Sequence, residues 1–263
     1  MSAIITLTTD FGSGSPYVAA MKGVILGINP AVRLIDISHE VAPQNVQHGA
    51  VLLAEATTWF PAGAIHVAVI DPGVGTQRKL IYCRIGDQQY LAPNNGLLSL
   101  LAKQHKPARI VELANSEIWL PDVSSTFHGR DILAPVAAQL SLGLEPEQLG
   151  PTVQEMQMLD WPEPHCTDNR IEGAIRWIDH FGNLITNISA RMLPAAEEAS
   201  AVHIQCAGKQ ISGLVQSYGQ RKANELTALV GSSGYLEIAV VNGSAAITLT
   251  AAVGASVIVN PVP

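Results

Sequence analysis

Apolar runs and amphipathic stretches alternate along the first 150 residues of the chain. β-branched runs bounded by glycine, proline or asparagine predict strands, and apolar residues at helical spacing predict helices. The predicted strands are Ala3–Thr9, Arg33–Ile37, Ala64–Ile70 and Arg109–Leu113, a hairpin turns at Gly86-Asp87, and the predicted helices cover residues 17–28, 45–60, 95–102 and 131–142. This alternation predicts an α/β domain with a mainly parallel sheet over residues 1–150.

The segment 151–169 has a different character. It contains Pro151, Pro162 and Pro164 and shows little periodicity. Proline-rich, aperiodic stretches separate folded segments, so we predict a linker here.

Beyond the linker the chain consists of short β-branched runs separated by Gly, Asn and Ser. The predicted strands are Ile171–Ile178, Leu184–Ile188, Ala201–Cys206, Leu226–Val230, Tyr235–Val241 and Ala255–Val259. Residues 170–263 are therefore predicted to form a smaller all-β, barrel-like domain.

Composition limits the possible partners. Hydrophobic residues make up 48% and charged residues 14% of the 263 residues, and the net charge is -7. An acidic chain lacks the basic surface that binds nucleic acid or anionic lipid. The N-terminal run becomes polar too soon for a signal or a membrane span, and the three cysteines form no CxxC pair. We expect a cytoplasmic protein without nucleic-acid or membrane partners.

Four polar loops are candidates for chemistry: TTDFG at 8–12, DPGVG at 71–75, PNNG at 93–96 and STFHGRD at 125–131. Ligands of open α/β sheets bind where such loops converge at the carboxyl edge. Asp10 follows a predicted strand, and its carboxylate could accept two hydrogen bonds from the vicinal diol of a ribose. The alternative is a turn or helix-capping aspartate.

Asp71, Arg78 and His128 could form a proton-handling cluster. In such a cluster the guanidinium opposes protonation of the imidazole and the carboxylate favours it. Taken singly, each residue has a plainer interpretation: a turn aspartate, a solvated arginine and a structural histidine. No HxH, HExxH or GxSxG element is present, so the sequence supports neither a metal site nor a nucleophilic serine.

Two segments of the C-terminal half carry further candidates. IDHFGN at 178–183 holds Asp179, Phe181 and Asn183, and an aromatic face beside an amide suits an adenine ring. GSSGYLEIA at 231–239 offers Ser232 and Ser233 as hydroxyl donors for a carboxylate. The alternative for both segments is a tight turn, since Gly-Asn is a favoured turn pair.

Taken in order, TDFG, DPGVG, PNNG, STFHGRD, IDHFGN and SSGYLEIA resemble the S-adenosylmethionine hydroxide adenosyltransferase family, whose relatives include fluorinase and chlorinase. The resemblance extends over nearly the whole chain. It implies an α/β domain followed by a β-barrel-like domain, assembled as a homotrimer with substrate bound between subunits. It also implies that S-adenosyl-L-methionine is the substrate and that no cofactor or metal takes part.

The resemblance assigns roles to individual residues. Asp71, Arg78 and His128 match the set thought to activate water, and Asp10 matches the ribose-binding aspartate. Asp179 matches the residue that holds the methionine amine, whereas Phe181 and Asn183 match adenine contacts. Ser232 matches a methionine-carboxylate contact. The complete predicted substrate-binding set is Asp10, Asn95, Phe127, Asp179, Phe181, Asn183, Ser232, Ser233 and Glu237.

Several positions depart from the halogenating relatives. Asp71 stands where those enzymes carry a tyrosine, and its negative charge disfavours an incoming halide. Gly129 occupies the position of the fluoride-binding serine, which chlorinase also lacks. Ser233 replaces an arginine, and Gln44 replaces a tryptophan near the ribose.

These observations predict metal-independent nucleophilic substitution by water at the sugar carbon of S-adenosyl-L-methionine, giving adenosine and methionine. Two alternatives remain open from sequence. One is a chlorinase-like enzyme that uses a halide, and the other is a protein that binds adenosine or S-adenosylmethionine without turnover.

Overall fold

The computed structural model describes residues 2–167, 170–194 and 202–261. The chain divides into two compact units, Met1–Leu159 and Asp160–Pro263. Within the predicted linker, residues 151–159 belong to the first unit: Thr152 pairs with Val111, and the Gln157 backbone N–H donates to Asn94 Oδ1 at 2.7 Å.

The described part of the first unit, residues 2–159, contains six strands and four α-helices. The strands are β1 (Ile4–Thr9), β2 (Arg33–Ser38), β3 (Ile65–Val69), β4 (Leu80–Ile85), β5 (Gln88–Pro93) and β6 (Pro107–Glu112). The helices are α1 (Pro16–Ile28), α2 (Val46–Ala56), α3 (Ser99–Gln104) and α4 (Ala134–Ser141).

The sheet of this unit is mixed, with strand order β2-β1-β3-β5-β4-β6. The pairs β1·β2, β1·β3 and β3·β5 are parallel, whereas β4 pairs antiparallel with both β5 and β6. The prediction of a mainly parallel sheet is therefore only partly correct. The hairpin through Gly86 reverses the chain, because a short turn can join only antiparallel strands.

Local sequence explains helix α1, which lies on the sheet through one apolar face. The Ser15 side chain accepts a hydrogen bond from the Tyr17 N–H, and Pro16 occupies the first turn, where no backbone donor is needed. Val18, Met21 and Ile25 lie three or four residues apart and are buried. Together with β1 and β3 they form part of the main core of this unit.

A buried polar group lies inside the first unit on β3. His66 is fully buried, and its Nδ1 lies 2.8 Å from Thr6 Oγ1. The imidazole stacks on Tyr90 with ring centroids 4.9 Å apart. Burial lowers the pKa of His66 to about 4, so the ring is neutral in the folded protein at pH 7.

Within residues 160–167, 170–194 and 202–261, the second unit contains eight strands and one short α-helix. The strands are β7 (His165–Thr167), β8 (Arg170–Ile178), β9 (Leu184–Ser189), β10 (Val202–Cys206), β11 (Lys209–Ser212), β12 (Leu226–Val230), β13 (Tyr235–Val240) and β14 (Ser256–Pro261), and the helix is α5 (Ala245–Leu249). The sequence pattern missed β7, β11 and α5, which are too short to show a period.

The strands described in this unit pair antiparallel with one another, in the order β11-β10-β14-β8-β9-β13-β12, with β7 paired to β8. Just after β11, Val215 bridges Leu229 on β12, which brings the two ends of the sheet together. The sheet is therefore nearly closed and barrel-like, and its interior is a separate apolar core.

Candidate active site

Three of the predicted loops begin at the carboxyl ends of parallel strands. Asp10 follows β1, Asp71 lies two residues after β3, and Asn95 lies two residues after β5. These strands are neighbours and parallel, so their ends meet at one edge of the sheet. This edge is where an open α/β sheet binds its ligands.

Arg78 joins Asp71 to His128. Its Nε lies 3.0 and 2.9 Å from the two Asp71 carboxylate oxygens, and its Nη2 lies 2.6 Å from Asp71 Oδ2. The same Nη2 lies 2.7 Å from His128 Nδ1. The structure therefore brings together all three residues predicted to form the proton-handling cluster.

The ion pair of this cluster is shielded from solvent. The side chains of Arg78 and Asp71 are 11% and 6% exposed. Paired hydrogen bonds between a guanidinium and a carboxylate are strong and fix the relative orientation of both groups. Removing one partner of such a pair leaves a buried charge uncompensated, so the arrangement depends on all of its members.

His128 is held as a neutral hydrogen-bond acceptor. Burial and the positive charge of Arg78 lower its pKa, and the nearby Asp71 and Asp131 partly oppose that shift. Because arginine only donates hydrogen bonds, Nδ1 must accept from Arg78. The neutral ring then carries its hydrogen on Nε2 and presents a donor on that side.

The loop of Asp71 packs tightly against the loop that leads to His128. Gly75 has a φ of +80°, and a Cβ atom at this position would lie 2.6 Å from the backbone oxygen of Ser125. Glycine is therefore required for both conformation and space. This close approach fixes the distance between the loop that carries Arg78 and the loop that carries His128.

Asn95 was predicted to bind substrate, but in the structure its side chain forms hydrogen bonds with the protein backbone. Its Nδ2 donates to the Ile70 carbonyl at 2.9 Å, and its Oδ1 accepts from the Leu97 N–H at 3.2 Å. Ile70 immediately precedes Asp71. Asn95 therefore anchors the backbone from which the catalytic candidate extends.

Phe127, also a predicted substrate contact, belongs to an aromatic group with Phe11 and Tyr17. The ring centroids lie 5.2 to 5.7 Å apart in edge-to-face geometry, and the Arg130 guanidinium lies 5.0 Å from the Phe127 centroid. Tyr17 is 52% exposed. The group forms an apolar surface beside the Asp10 loop.

A π-helical turn follows His128. It covers Gly129–Leu133 and leads directly into α4, where the sequence predicted a helix beginning at residue 131. Such turns are frequent at functional sites. A Cβ atom on Gly129 would lie 3.3 Å from Val69 Cγ1 and 3.4 Å from Met21 Sδ, so this backbone packs directly on the core.

Asp131 is a residue of this region that the sequence analysis missed. It is fully buried, and its carboxylate accepts from the Ser124 N–H at 2.8 Å and from Arg130 Nε at 2.6 Å. These contacts tie the STFHGRD loop to the helix that follows it. The sequence signal that could have identified Asp131 was its place as the last residue of the STFHGRD motif.

Asp10 bonds to the loop that precedes α2. Its Oδ2 accepts from the Gln44 N–H at 2.7 Å, and Gln44 adopts a φ of +63°. Glycine and asparagine adopt positive φ more readily than glutamine, so the hydrogen bond to Asp10 helps to hold a strained backbone at Gln44. The other oxygen, Oδ1, remains available for a ligand hydroxyl.

The second unit has its own cleft of about 720 Å³, lined in part by Asp179, Phe181, Asn183, Ser232 and Glu237. Five predicted substrate-binding residues of this unit thus share one surface. Ser233, the sixth, is next to Ser232 in the turn between β12 and β13.

Asp179 organises the turn at one side of this cleft. Its Oδ1 accepts from the Phe181 and Asn183 N–H groups at 2.9 and 2.8 Å, and its Oδ2 accepts from Asn183 Nδ2 at 2.9 Å. The turn leaves the Phe181 ring 75% exposed. An exposed ring beside a fixed amide provides a stacking surface with a polar edge.

Glu237 lies deeper in the same cleft and is 7% exposed. The Tyr218 hydroxyl donates to its Oε1. Burial raises the pKa of Glu237 and that of Tyr218. The sequence analysis missed Tyr218, which belongs to none of the recognised motifs. Gly231 leaves room for the carboxylate, because a Cβ there would lie 2.5 Å from Glu237 Oε2.

Two kinds of feature are absent from the part of the chain that the structure describes. Residues 2–167, 170–194 and 202–261 contain no group of three or more His, Cys, Asp or Glu side chains placed to hold a metal ion. No helix within these ranges has both the length and the apolar character of a membrane span.

Two family models match the chain, one in each unit. The model described as the SAM hydroxide adenosyltransferase N-terminal domain matches residues 5–150, and the C-terminal domain model matches residues 173–258. The matched ranges contain all twelve predicted site residues.

Individual relatives agree with these matches. An (R)-S-adenosyl-L-methionine hydrolase of Salinispora tropica is 39% identical over 92% of both chains. The crystal structure of a conserved protein from Thermotoga maritima superposes with a TM-score of 0.91 at 35% identity, covering 97% of this chain and 99% of that one. A fluorinase of an Actinoplanes species is more distant, at 28% identity over 70% of this chain and 71% of its own.

Proposed function

The chain belongs to the SAM hydroxide adenosyltransferase family, and from this premise we propose that it hydrolyses S-adenosyl-L-methionine at C5′ to adenosine and L-methionine. The oxygen of water bonds to C5′ as the bond between C5′ and sulfur breaks. The bonding electrons leave with sulfur as the neutral thioether of methionine, and the water loses one proton. Because the leaving group is neutral, it needs no acid.

The difficult partner is the nucleophile, since bulk water has a pKa near about 15.7 and attacks saturated carbon poorly. We propose that the cluster of Asp71, Arg78 and His128 holds one water in line with sulfur and removes its proton. The single observation that carries this proposal is the bridging of Asp71 and His128 by one Arg78 guanidinium.

The hydrogen-bond pattern assigns separate roles within the cluster. The one lone pair of the neutral His128 ring accepts from Arg78, so its Nε2–H can only donate to the water oxygen. Asp71 is the member with carboxylate lone pairs left to accept the proton. General-base assistance of this kind contributes roughly 100- to 10,000-fold, and orientation of the water adds to it.

We propose that the remaining predicted residues hold the substrate. Asp10 binds the ribose hydroxyls, Phe181 and Asn183 bind adenine, and Asp179 binds the methionine amine. Ser232, Ser233 and Glu237 complete the methionine contacts. Asn95 and Phe127 act from the first unit, where Asn95 fixes the strand end beside Asp71 and Phe127 supplies apolar surface.

Three further features belong to this proposal. The reaction uses no cofactor or metal, because the sulfonium activates its own leaving group. The enzyme assembles as a homotrimer with substrate bound between subunits, which light scattering and crosslinking of the purified protein would test. It works in the cytoplasm, in keeping with its three free thiols, Cys83, Cys166 and Cys206.

The test is an incubation with S-adenosyl-L-methionine in ¹⁸O-labelled water, followed by mass spectrometry of the products. We expect the label in the 5′-hydroxyl of adenosine and unlabelled methionine, with turnover unaffected by a metal chelator. Adenine as a product, or label in methionine, would contradict attack at C5′.

The same incubation separates the alternatives. Added chloride or bromide that yields a 5′-halogenated nucleoside would indicate a halide-using enzyme. Substrate recovered unchanged after long incubation with folded protein would indicate a binding protein.

A further inference from the structure

The loop that carries Asp10 is held by the segment that follows β2. The Gly12 N–H donates to the His39 carbonyl at 2.8 Å, and the Ser13 N–H donates to Glu40 Oε1 at 2.8 Å. On the other side of this segment, the Gln44 N–H donates to the Asp10 carboxylate itself. Asp10 therefore depends for its position on residues 39–44.

The His39 side chain makes the innermost of these contacts. It is 10% exposed, and its Nδ1 lies 2.9 Å from the hydroxyl of Thr9, which is fully buried. The same hydroxyl oxygen accepts from the Phe11 N–H at 3.3 Å. Thr9 and Phe11 are the two chain neighbours of Asp10, so the imidazole is connected to the backbone on both sides of the carboxylate.

The far side of the ring faces a second carboxylate. His39 Nε2 lies 3.1 Å from Asp36 Oδ1, and Lys22 Nζ donates to Asp36 Oδ2 at 2.6 Å. This contact lacks hydrogen-bond geometry, but the nearby negative charge of Asp36 favours the hydrogen on Nε2, which leaves Nδ1 to accept from the Thr9 hydroxyl. Asp36 and Lys22 thereby select the ring state that can hold Thr9.

We propose that His39 is a positioning residue for Asp10: it fixes the Thr9 hydroxyl and, through it, the direction in which the Asp10 carboxylate points. This inference rests on the proposed function, in which Asp10 binds the ribose hydroxyls. His39 does not touch substrate. Without the imidazole, a fully buried hydroxyl loses its acceptor and can turn away from the Phe11 N–H.

A double-mutant cycle with adenosine as the ligand tests this inference. Calorimetry would measure adenosine binding to the full-length wild type, His39→Ala, Asp10→Ala and the double variant. We expect Asp10→Ala to weaken adenosine binding at least tenfold and His39→Ala to weaken it about fivefold. In the Asp10→Ala background, adding His39→Ala should change adenosine binding by less than twofold. In turnover assays, His39→Ala should raise KM and leave kcat within about twofold, because the ribose contact is the same in the ground and transition states.

The conservative variant His39→Asn separates positioning from general support of the fold. Its amide oxygen can occupy the place of Nδ1, so we expect it to restore adenosine affinity to within about twofold of wild type. His105→Ala removes an exposed histidine elsewhere in the same unit and is the matched control. Thermal melts of each variant would establish that the binding measurements refer to folded protein.

Two results would overturn the inference, and they have different meanings. If His39→Ala weakens binding by the same factor with and without Asp10, His39 acts independently of Asp10 and only the positioning role fails. If Asp10→Ala leaves adenosine binding unchanged, the ribose role in the proposed function fails and the inference fails with it.

Discussion

At the scale of single residues, the site depends on one guanidinium with two partners. Arg78 contacts both the carboxylate proposed to take the proton of water and an imidazole whose Nδ1 accepts from Arg78, which leaves Nε2–H to donate. Neither partner could hold this state alone, because the carboxylate would be an unpaired buried charge and the ring could adopt either tautomer.

We predict that Asp71→Asn reduces kcat roughly 100- to 10,000-fold, because an amide keeps the shape of the carboxylate and cannot accept the proton of water. Single-turnover assays of adenosine release would measure this. Adenosine affinity, measured in parallel, should change little. Full turnover in this variant would remove Asp71 from its role as base.

The pH profile gives a second prediction. Because the pKa of His128 is lowered, the neutral ring that accepts from Arg78 persists below the usual histidine range. We expect kcat/KM to stay level as the pH falls to 6.5 and to decline only at lower pH, where protonation of Nδ1 breaks the contact with Arg78. In His128→Asn this low-pH decline should disappear or move. A wild-type decline centred above pH 6.5 would contradict the proposed hydrogen-bond arrangement.

Asn95 provides a third prediction, since its amide holds the Ile70 carbonyl next to Asp71. We expect Asn95→Ala to lower kcat about tenfold through misplacement of Asp71, on the scale of effects from displaced catalytic groups. The control is Asn94→Ala, because Asn94 bonds instead to the Gln157 backbone. Equal losses of kcat in the two variants would mean that Asn95 has no special link to the catalytic cluster.

The sequence could indicate some of these residues and not others. Asp10 and Asp71 follow clear strand patterns, so their place at the sheet edge was predictable. From the residues alone, the cluster of Asp71, Arg78 and His128 was only one possible interpretation, because residues 50 positions apart give no spacing signal, and the family resemblance favoured it. Tyr218 and His39 had no motif, and their roles depend on contacts made only after the chain folds.

At the scale of elements, two turns with the same backbone strain differ in their surroundings. Gly75 and Gly63 have φ values of +80° and +82°, but only a Cβ on Gly75 would meet another loop, at Ser125. Nothing lies within 4 Å of a Cβ on Gly63. Comparing variants at these two glycines therefore separates the effect of left-handed backbone strain from that of steric contact with another loop.

We predict that Gly75→Ala and Gly63→Ala each destabilise the fold by roughly 1–2 kcal/mol through the left-handed backbone, with an additional loss in Gly75→Ala. Only Gly75→Ala should also reduce kcat, because it pushes apart the loops that carry Arg78 and His128. Urea unfolding and initial rates would measure both effects. An unchanged kcat in folded Gly75→Ala would show that the loop contact does not set the catalytic geometry.

Strand and helix patterns predicted most long elements of the chain, and the discrepancies have physical causes. The long helices end within a few residues of their predicted limits, because caps and apolar periodicity define them locally. The predicted hairpin at Gly86-Asp87 makes β4 antiparallel to β5, but the pairing of β4 with β6 joins distant segments, which no local pattern reports. Likewise, the π-helical turn before α4 lies where a Cβ on Gly129 would meet Met21 and Val69, residues distant in the chain that no local pattern reports.

At the scale of the whole molecule, each unit has its own core, and a neutral histidine is buried in the first. The pKa of His66 is lowered to about 4 in the folded state, from about 6.5 when unfolded. Its contribution to stability is therefore complete above pH 6.5 and is lost as the pH falls from 6.5 towards 4.

We predict a loss of about 2 kcal/mol in the unfolding free energy of the first unit between pH 7 and pH 5 from His66 alone. Urea unfolding monitored through hydrogen exchange of the β3 amides would measure this loss of unfolding free energy. His66→Gln should flatten this dependence, and the exposed-site control His105→Gln should not. An identical pH slope in wild type and His66→Gln would exclude His66 as the source.

The tight packing around Gly129 links the turn after His128 to the core of the first unit. A residue there with a hydroxyl, as the fluorinase resemblance suggests for fluoride, would press on Val69 from the central sheet and Met21 from helix α1. A side chain at position 129 would therefore require Val69 and Met21 to shift by a few tenths of an ångström. A hydroxyl-bearing side chain at position 129 would fit only if one strand side chain and one helix side chain adjusted with it.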